Sequence, residues 1–146
     1  MQNVTTDDYM PDPYLFAYGF LMSVFHGNEQ TQTPPLDARL LGLGTYDGLL
    51  YRVASYPGVI YRPEGDKQVY GEVFWLNHPN RTLPILDEYE HASPLITNAP
   101  EYARRLRPIR LEGKTIQCWV YEYLGTVQPD SEIKSGKFDI EQTKQS

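Results

Sequence analysis

Hydrophobic residues in this chain of 146 occur in short runs that Gly, Pro and polar clusters separate. Residues 14–22 form an almost unbroken apolar run, which predicts a strand buried on both faces, with a turn or a close backbone approach at Gly19. Residues 36–62 contain several short β-type stretches broken by glycines. Residues 67–76 alternate between two faces, and turn-forming residues 63–66 precede them. The pattern predicts a chain built mainly of strands, in line with its twelve tyrosines and two tryptophans.

The second half of the chain is expected to contain a helix and a hairpin. Residues 82–91 predict a helix of about three turns. Thr82 is placed to cap this helix, and Pro84 falls in the first turn, where its missing N–H costs little. Residues 101–112 and 115–124 predict two strands of a hairpin around a turn that contains glycine.

This order of elements predicts one domain of the α+β class with a curled or barrel-like sheet. The length suits a single domain with a single core. We expect a flexible N-terminal lead-in at residues 1–13, the domain at residues 14–125 and a polar C-terminal tail at residues 126–146. Within the domain, the polar residues 23–35 predict a loop.

Charge and composition argue against several classes of partner. The net charge is −6, and the arginines of residues 104–110 fall in a predicted strand, so we expect no nucleic-acid partner. No apolar run approaches the roughly 20 residues that a membrane-spanning helix needs, and the polar N-terminus lacks the basic region of a signal peptide. With one cysteine, no intrachain disulfide can form. We therefore expect a cytoplasmic protein without a membrane partner.

The histidines and the cysteine do not suggest a metal site or a nucleophile. His26, His78 and His91 lack the spacing of metal ligands, so we expect no metal. Cys118 lies in the middle of a predicted strand with no histidine near it in sequence. It is therefore expected to be a buried small hydrophobic residue rather than a nucleophile.

A helical projection of residues 83–91 places one acid on the apolar face. The apolar arc consists of Leu83, Ile85, Leu86 and Tyr89. Glu90 lies within this arc, whereas the other acids point away from it. A buried carboxylate is costly and its pKa rises, so proteins seldom keep one without a use. The alternative, a glutamate at the helix rim that reaches water or pairs with Arg104 or Arg107, is equally open from the projection alone.

The apolar run that begins the domain leads directly into residues 18–21, Tyr-Gly-Phe-Leu. A glycine at this position lets backbone N–H groups face a ligand without an intervening side chain. Such donors can hold a carboxylate or an oxyanion. Most glycines at strand ends only form turns, so the sequence leaves both interpretations open, a ligand-binding turn and a purely structural one.

Five short blocks occur in an order that resembles the gamma-glutamyl cyclotransferase-like superfamily. They are Tyr-Gly-x-Leu at residues 18–21, Gly-x-Val-Phe-Trp at 71–75, Leu-Asp-x-x-Glu at 86–90, Tyr-x-Arg at 102–104 and Val-Tyr-x-Tyr at 120–123. No single block is specific, but the ordered combination covers roughly residues 14–124. The resemblance implies an α+β fold in which a small mixed β-barrel is flanked by short helices.

The resemblance also implies a set of site residues. Glu90 matches the family's catalytic glutamate, and the substrate-binding residues would be Tyr18, Gly19, Phe20, Leu21 and Tyr102. The tyrosines would offer a hydroxyl to the substrate or to Glu90. Phe20 stands where many members carry a small polar residue, and His91 where many carry glycine.

The implied activity is the closure of a gamma-glutamyl amide to 5-oxoproline with release of an amine, an acyltransferase or lyase reaction. Glu90 would serve as general acid and base, with neither an organic cofactor nor a metal. The expected partner is a small-molecule gamma-glutamyl substrate, and the expected state is a monomer or a weak homodimer. The same fold also suits a non-catalytic module that binds small metabolites, or a different amide or acyl transfer.

Overall fold

The computed structural model describes residues 12–23, 36–92 and 99–138. Within these ranges the chain forms six strands and one α-helix. In chain order they are β1 (Tyr14–Ala17), β2 (Ala38–Arg52), β3 (Pro57–Tyr61), β4 (Gln68–Leu76), α1 (Pro79–Tyr89), β5 (Tyr102–Leu111) and β6 (Lys114–Tyr123), followed by a 3₁₀ helix at Pro129–Ser131. Most of the predicted lead-in at residues 1–13 and of the predicted loop at residues 23–35 lies outside the described residues.

Five of these strands close into a barrel. Their order around it is β2, β4, β1, β6 and β5, and β5 meets β2 again where Arg110 pairs with Thr45. The pairs are antiparallel except for β1 and β6, which run parallel and pair Leu15 with Trp119. β3 pairs with the second half of β2. The predicted α+β fold with a small mixed barrel is confirmed, with α1 as its helix in the described part of the chain.

Two cores lie on the two faces of the barrel wall. The interior core consists of Phe16, Tyr18, Tyr46, Leu50, Val59, Val69, Val73, Ile109, Leu111, Cys118, Val120, Ile133 and Phe138. The outer core, under α1, consists of Leu15, Ala17, Leu21, Phe74, Leu76, Leu83, Leu86, Tyr102 and Tyr121. Because successive residues of a strand point to opposite faces, neighbours such as Val120 and Tyr121 contribute to different cores. Cys118 is buried in the interior core, as expected from the sequence.

The turn expected at Gly19 is found, whereas β2 differs from the prediction. β1 ends at Ala17, and the rest of the apolar run to residue 22 forms a turn. β2 is one strand of 15 residues rather than several short ones. Its glycines do not break it, because they sit where the barrel is crowded: a Cβ at Gly44 would come within 2.8 Å of Val73. Between Leu40 and Gly42 a bulge shifts the register instead.

The helix begins three residues before the predicted start. His78 is its N-cap, and Pro79 occupies the first turn, where a fixed φ favours the helix and no N–H is needed. Thr82 is therefore not the cap. Its N–H donates to the His78 carbonyl at 2.9 Å. Ile85, which the projection placed on the apolar arc, is exposed.

The hairpin between β5 and β6 has the predicted turn. Glu112 and Gly113 both have positive φ, 51° and 79°. A two-residue turn of this kind matches the right-handed twist of the flanking strands. The predicted strand at residues 67–76 is likewise found, as β4.

The chain beyond β6 packs on the barrel. Ile133 and Phe138 are buried in the interior core. The Ile133 N–H donates to the Leu50 carbonyl at 2.7 Å, and Gly136 accepts from the Tyr70 N–H at 2.8 Å. The packed part of the chain therefore extends past the predicted boundary at residue 125, at least to residue 138.

Glu122 is a charged residue of the barrel wall that is only 2% exposed. Its carboxylate accepts hydrogen bonds from the Tyr46 hydroxyl at 2.7 Å, from Arg107 at 2.7 and 2.9 Å and from Arg105 at 3.2 Å. Burial by itself raises the pKa of Glu122, but the hydrogen bonds from Arg107, Tyr46 and Arg105 outweigh it and hold the pKa below its usual value. The carboxylate therefore stays ionised inside the wall.

Candidate active site

Glu90 is the first residue after α1 and acts as its C-cap. Its N–H donates to the Leu86 carbonyl at 2.8 Å, so the backbone still follows the helical path. Residues four apart lie on one face of a helix, and Leu86 is buried in the outer core. The acid that the projection singled out therefore lies on the face of α1 that packs on the barrel.

The carboxyl group of Glu90 is closely surrounded by protein, although the residue is partly exposed to solvent. Burial raises its pKa from 4.5 to about 8, and the negative charge of Glu101 adds to the shift. A carboxyl with such a pKa is largely protonated at neutral pH, but both forms are accessible. It can therefore accept and return a proton.

Three tyrosines surround this carboxyl. Burial is the main cause that raises the pKa of Tyr18, Tyr102 and Tyr121, and the charge of Glu90 adds to it in each case. The hydroxyl of Tyr18 donates to the Tyr121 carbonyl at 2.6 Å, and that of Tyr102 to the Pro57 carbonyl at 2.7 Å. Both protons are thus directed at backbone oxygens, not at Glu90. Towards a substrate, the hydroxyl of Tyr102 can act as an acceptor.

The predicted substrate turn begins where β1 ends. The Met22 N–H donates to the Gly19 carbonyl at 3.0 Å, and the Ser23 hydroxyl donates to Glu72 of β4 at 2.8 Å. A Cβ at Gly19 would come within 2.7 Å of the Pro57 ring, so glycine is required here by the close approach of β3. Leu21 is buried in the outer core, and the ring of Phe20 contacts that of Phe138 edge to face.

The sequence matches one family, described as gamma-glutamyl cyclotransferase, AIG2-like, over residues 15–140. The chain belongs to this family. No curated protein sequence matches it. The family match covers every candidate site residue named above, so the buried glutamate, the tyrosines and the turn all lie within the gamma-glutamyl cyclotransferase, AIG2-like domain.

Solved structures share the fold of this family member. YkqA from Bacillus subtilis has a TM-score of 0.62 at 17% identity, over 91% of this chain but only 42% of YkqA. The uncharacterized protein PH0828 from Pyrococcus horikoshii has a TM-score of 0.59 at 18% identity, over 90% of this chain and 94% of that one. An AIG2-like protein from Mus musculus has a TM-score of 0.58 at 21% identity, with coverages of 87% and 88%.

The two arginines considered as rim partners of Glu90 bind other acids. Arg104 forms a two-point ion pair with Asp87, at 2.7 and 3.2 Å, and its guanidinium lies over the Trp119 ring at 4.3 Å. Arg107 binds Glu122. Asp87 also accepts from the Tyr121 hydroxyl at 2.7 Å, so this acid, expected to point away, ties α1 to β5 and β6.

Glu101 is a neighbour of Glu90 that sequence reasoning missed. One of its carboxylate oxygens accepts from the Tyr56 hydroxyl at 2.7 Å, and the other lies 4.0 Å from His91 Nδ1. Burial and the hydrogen bond to Glu101 raise the pKa of Tyr56 to about 12, with the hydrogen bond the larger cause. Tyr56 lies in the β2–β3 turn, His91 just after α1 and Glu101 just before β5. No local sequence pattern could therefore have predicted that the three residues meet.

Neither a metal-binding cluster nor a membrane-spanning helix is found in the residues that the structure describes. Among them, no three His, Cys, Asp or Glu side chains come close enough to hold a metal ion. None of their helices is long and apolar enough to cross a bilayer.

The raised pKa of Glu90 predicts a distinctive dependence of stability on pH. Between its usual pKa of 4.5 and about 8, the folded protein keeps a proton on Glu90 that the unfolded chain has lost. The folded state binds more protons, so the contribution of Glu90 to stability falls as pH rises through this window. Glu90→Gln cannot titrate. We expect its free energy of unfolding, relative to the unsubstituted protein, to increase from pH 5 to pH 8, which denaturant unfolding at a series of pH values measures.

The exposed Glu88 on the same helix supplies the control. Glu88→Gln should follow the unsubstituted protein at every pH. Parallel pH curves for all three proteins would mean that the carboxyl of Glu90 is not buried as described.

Proposed function

We propose that this chain closes a gamma-glutamyl amide to 5-oxoproline and releases an amine, with Glu90 as the catalytic acid and base. The observation that carries the proposal is the carboxyl of Glu90, whose pKa the surrounding protein raises to about 8, in a domain of the gamma-glutamyl cyclotransferase, AIG2-like family. An efficient proton-transfer group has a pKa near the working pH, which an ordinary glutamate does not.

The reaction begins when the ionised form of Glu90 removes a proton from the α-ammonium of the substrate. The free amine nitrogen then attacks the γ-carbonyl carbon, a carbon–nitrogen bond forms and the carbonyl oxygen becomes an oxyanion. Glu90 returns the proton to the leaving nitrogen, the original amide bond breaks and the carbonyl is restored. The ring nitrogen then loses its second proton to the carboxylate of Glu90, which passes it to the released amine and is ionised again. The products are the neutral lactam and a protonated amine, and no water is consumed.

Holding the substrate in the folded conformer is the main task of the remaining residues, because the attack is intramolecular. We assign the turn at residues 18–21 to the substrate carboxylate or the developing oxyanion, through the backbone N–H groups of residues 19–21. The hydroxyl oxygen of Tyr102 is fixed by its hydrogen bond to Pro57 and is suited to accept from the substrate ammonium.

The proposal is tested by incubating the protein with a panel of gamma-glutamyl amines and gamma-glutamyl dipeptides. We expect 5-oxoproline and the free amine in equal amounts from at least one of them, measured by mass spectrometry. Matched α-glutamyl isomers are the control, because their α-amine cannot expel the amide nitrogen by closing this ring.

Two other results would contradict the proposal in different ways. Binding of a gamma-glutamyl compound without any product would indicate a metabolite-binding module. Release of glutamate with the amine would indicate amide hydrolysis rather than ring closure.

A further inference from the structure

Arg52, the last residue of β2, has a buried guanidinium nitrogen without a partner. Its Nε is buried and makes no hydrogen bond. Among the described residues, no acceptor or acid pairs with the rest of its guanidinium either. By contrast, the arginines of β5, Arg104, Arg105, Arg107 and Arg110, each bind a carboxylate.

A buried guanidinium N–H without a partner, as at Arg52, is costly to keep. A buried donor without an acceptor loses its hydration and gains nothing in return, and arginine cannot escape the cost by losing its proton. The planar guanidinium presents two parallel N–H groups that match a carboxylate. An unpaired arginine is therefore suited to an anion that arrives with a ligand.

Strand pairing locates Arg52 beside the candidate active site. The Val53 N–H donates to the Tyr56 carbonyl at 2.7 Å and closes the β2–β3 turn, and Arg52 pairs with Pro57 just outside it. Arg52 and Pro57 are therefore a non-hydrogen-bonded pair of the antiparallel ladder. The side chains of such a pair lie on the same face and closer together than those of a hydrogen-bonded pair. The ring of Pro57 packs against Gly19, so Arg52 lies on the face of the hairpin that covers the substrate turn.

Pro57 also connects the Arg52 face of the hairpin to Tyr102. Its carbonyl accepts from the Tyr102 hydroxyl at 2.7 Å. Arg52 therefore shares one short hairpin with contacts to two predicted substrate-binding residues, Gly19 and Tyr102. No local pattern in the sequence points to Arg52, because the pairing of β2 with β3 brings it there.

Arg52 is not among the groups that shift the pKa of Glu90, the proposed base. The causes that shift the pKa of Glu90 are burial and Glu101, both of which raise it. A guanidinium against that carboxyl would lower the pKa instead and weaken it as a base. Arg52 is thus suited to the carboxylate end of a substrate and not to its reacting end.

We infer that Arg52 binds a carboxylate of the substrate. The inference rests on the proposed function and deepens it, because it leaves the N–H groups of residues 19–21 for the oxyanion. Every gamma-glutamyl amide carries one carboxylate on the glutamyl part, and amides of amino acids carry a second on the leaving group. Either source has the chemistry that a guanidinium recognises.

The test compares Arg52→Met and Arg52→Lys with Arg81→Met, which removes the same charge from an exposed position on α1. Four substrates are needed: a gamma-glutamyl alkylamide and a gamma-glutamyl amino acid, each with the glutamyl carboxylate free or converted to a carboxamide. We expect Arg52→Met to raise KM for the free-carboxylate substrates on the order of 10- to 100-fold, with a smaller change in kcat and partial rescue in Arg52→Lys. Arg81→Met should match the unsubstituted protein.

The four substrates identify which carboxylate is bound. If Arg52 binds the glutamyl carboxylate, the unsubstituted protein should prefer the gamma-glutamyl alkylamide with a free carboxylate to its carboxamide analogue. Arg52→Met should not distinguish between the two. If Arg52 binds the leaving-group carboxylate, the variant should lose the preference for the amino acid amide. An equal loss on all four substrates would overturn the inference and leave the proposed function standing.

Direct binding separates this inference from the proposed function. Calorimetric titration with 5-oxoproline and with 2-pyrrolidinone, which lacks the carboxylate, requires no turnover. We expect the unsubstituted protein to bind 5-oxoproline more tightly and Arg52→Met to lose that difference, even if no substrate is turned over. Unchanged binding of 5-oxoproline by Arg52→Met would exclude the glutamyl carboxylate, and the inference would be overturned if this variant also kept the preference for the amino acid amide.

Discussion

Replacing Glu90 by glutamine is expected to slow 5-oxoproline formation by about 10²- to 10⁴-fold without disturbing the fold. Glutamine has nearly the same shape, but it can neither take the proton from the substrate ammonium nor return one to the leaving amine. The loss should therefore appear in kcat rather than in KM. Single-substrate kinetics at pH 8, near the pKa of about 8, make the comparison where the base form is well populated.

Glu88→Gln is the matched control for this experiment. Glu88 is exposed on the same helix, so its removal should leave kcat unchanged. The rate of the unsubstituted protein should also rise with pH towards the pKa of Glu90. If Glu90→Gln turned over any accepted substrate at the original rate, the assignment of the catalytic residue would be wrong.

The second large effect is expected on stability, at Glu122. Glu122→Gln keeps the size of the side chain but removes the negative charge that Arg107 and Arg105 bind. Breaking a buried ion pair by removing one partner costs about 3–5 kcal/mol, and the partial exposure of Arg107 favours the lower end, about 3 kcal/mol. For a chain of this length the Tm should fall by roughly 10 °C, which thermal unfolding measures.

The surface pair of Asp47 with Arg110 supplies the comparison. Its arginine is half exposed, so Asp47→Asn should cost less than about 1 kcal/mol. The pKa of Glu122 is held below its usual 4.5, so its stabilising effect is complete above pH 4.5 and disappears as pH falls through the folded pKa. A Tm for Glu122→Gln no lower than that of Asp47→Asn would show that the network does not stabilise the barrel.

Local chemistry made parts of the fold predictable. The hairpin turn at residues 112–113 was predictable because a short polar segment that contains a glycine separates two strand-like runs. The strand at residues 67–76 was found because its two faces differ in burial, which leaves a period of two in the sequence. In both cases the physical cause acts between residues close in sequence.

The errors occurred where long-range packing decides the outcome. Glycines in β2 suggested breaks, but the closed barrel needs small residues at those positions, and that crowding arises from β4 and β5. The helix start was misplaced because Thr82 is by residue type a better N-cap than His78, yet the helix begins at Pro79. Phe138 was assigned to a polar tail because a single aromatic residue among polar ones gives no periodic signal.

The candidate site was predictable only in part for the same reason. Glu90 stood out because an acid on an apolar helix face conflicts with its surroundings, and this conflict is visible in the sequence alone. Glu101 and Arg52 gave no such signal. One lies next to Glu90 through the segment before β5, and the other lies near Gly19 through the pairing of β2 with β3.

The contact between Phe20 and Phe138 has a consequence for how the protein is made. The two rings lie at opposite ends of the described chain, so the ribosome produces Phe138 after all six strands. A domain generally folds as a unit during synthesis. The contact between Phe138 and Phe20, in the turn at residues 18–21, therefore cannot form until synthesis has passed residue 138, although all six strands are made earlier.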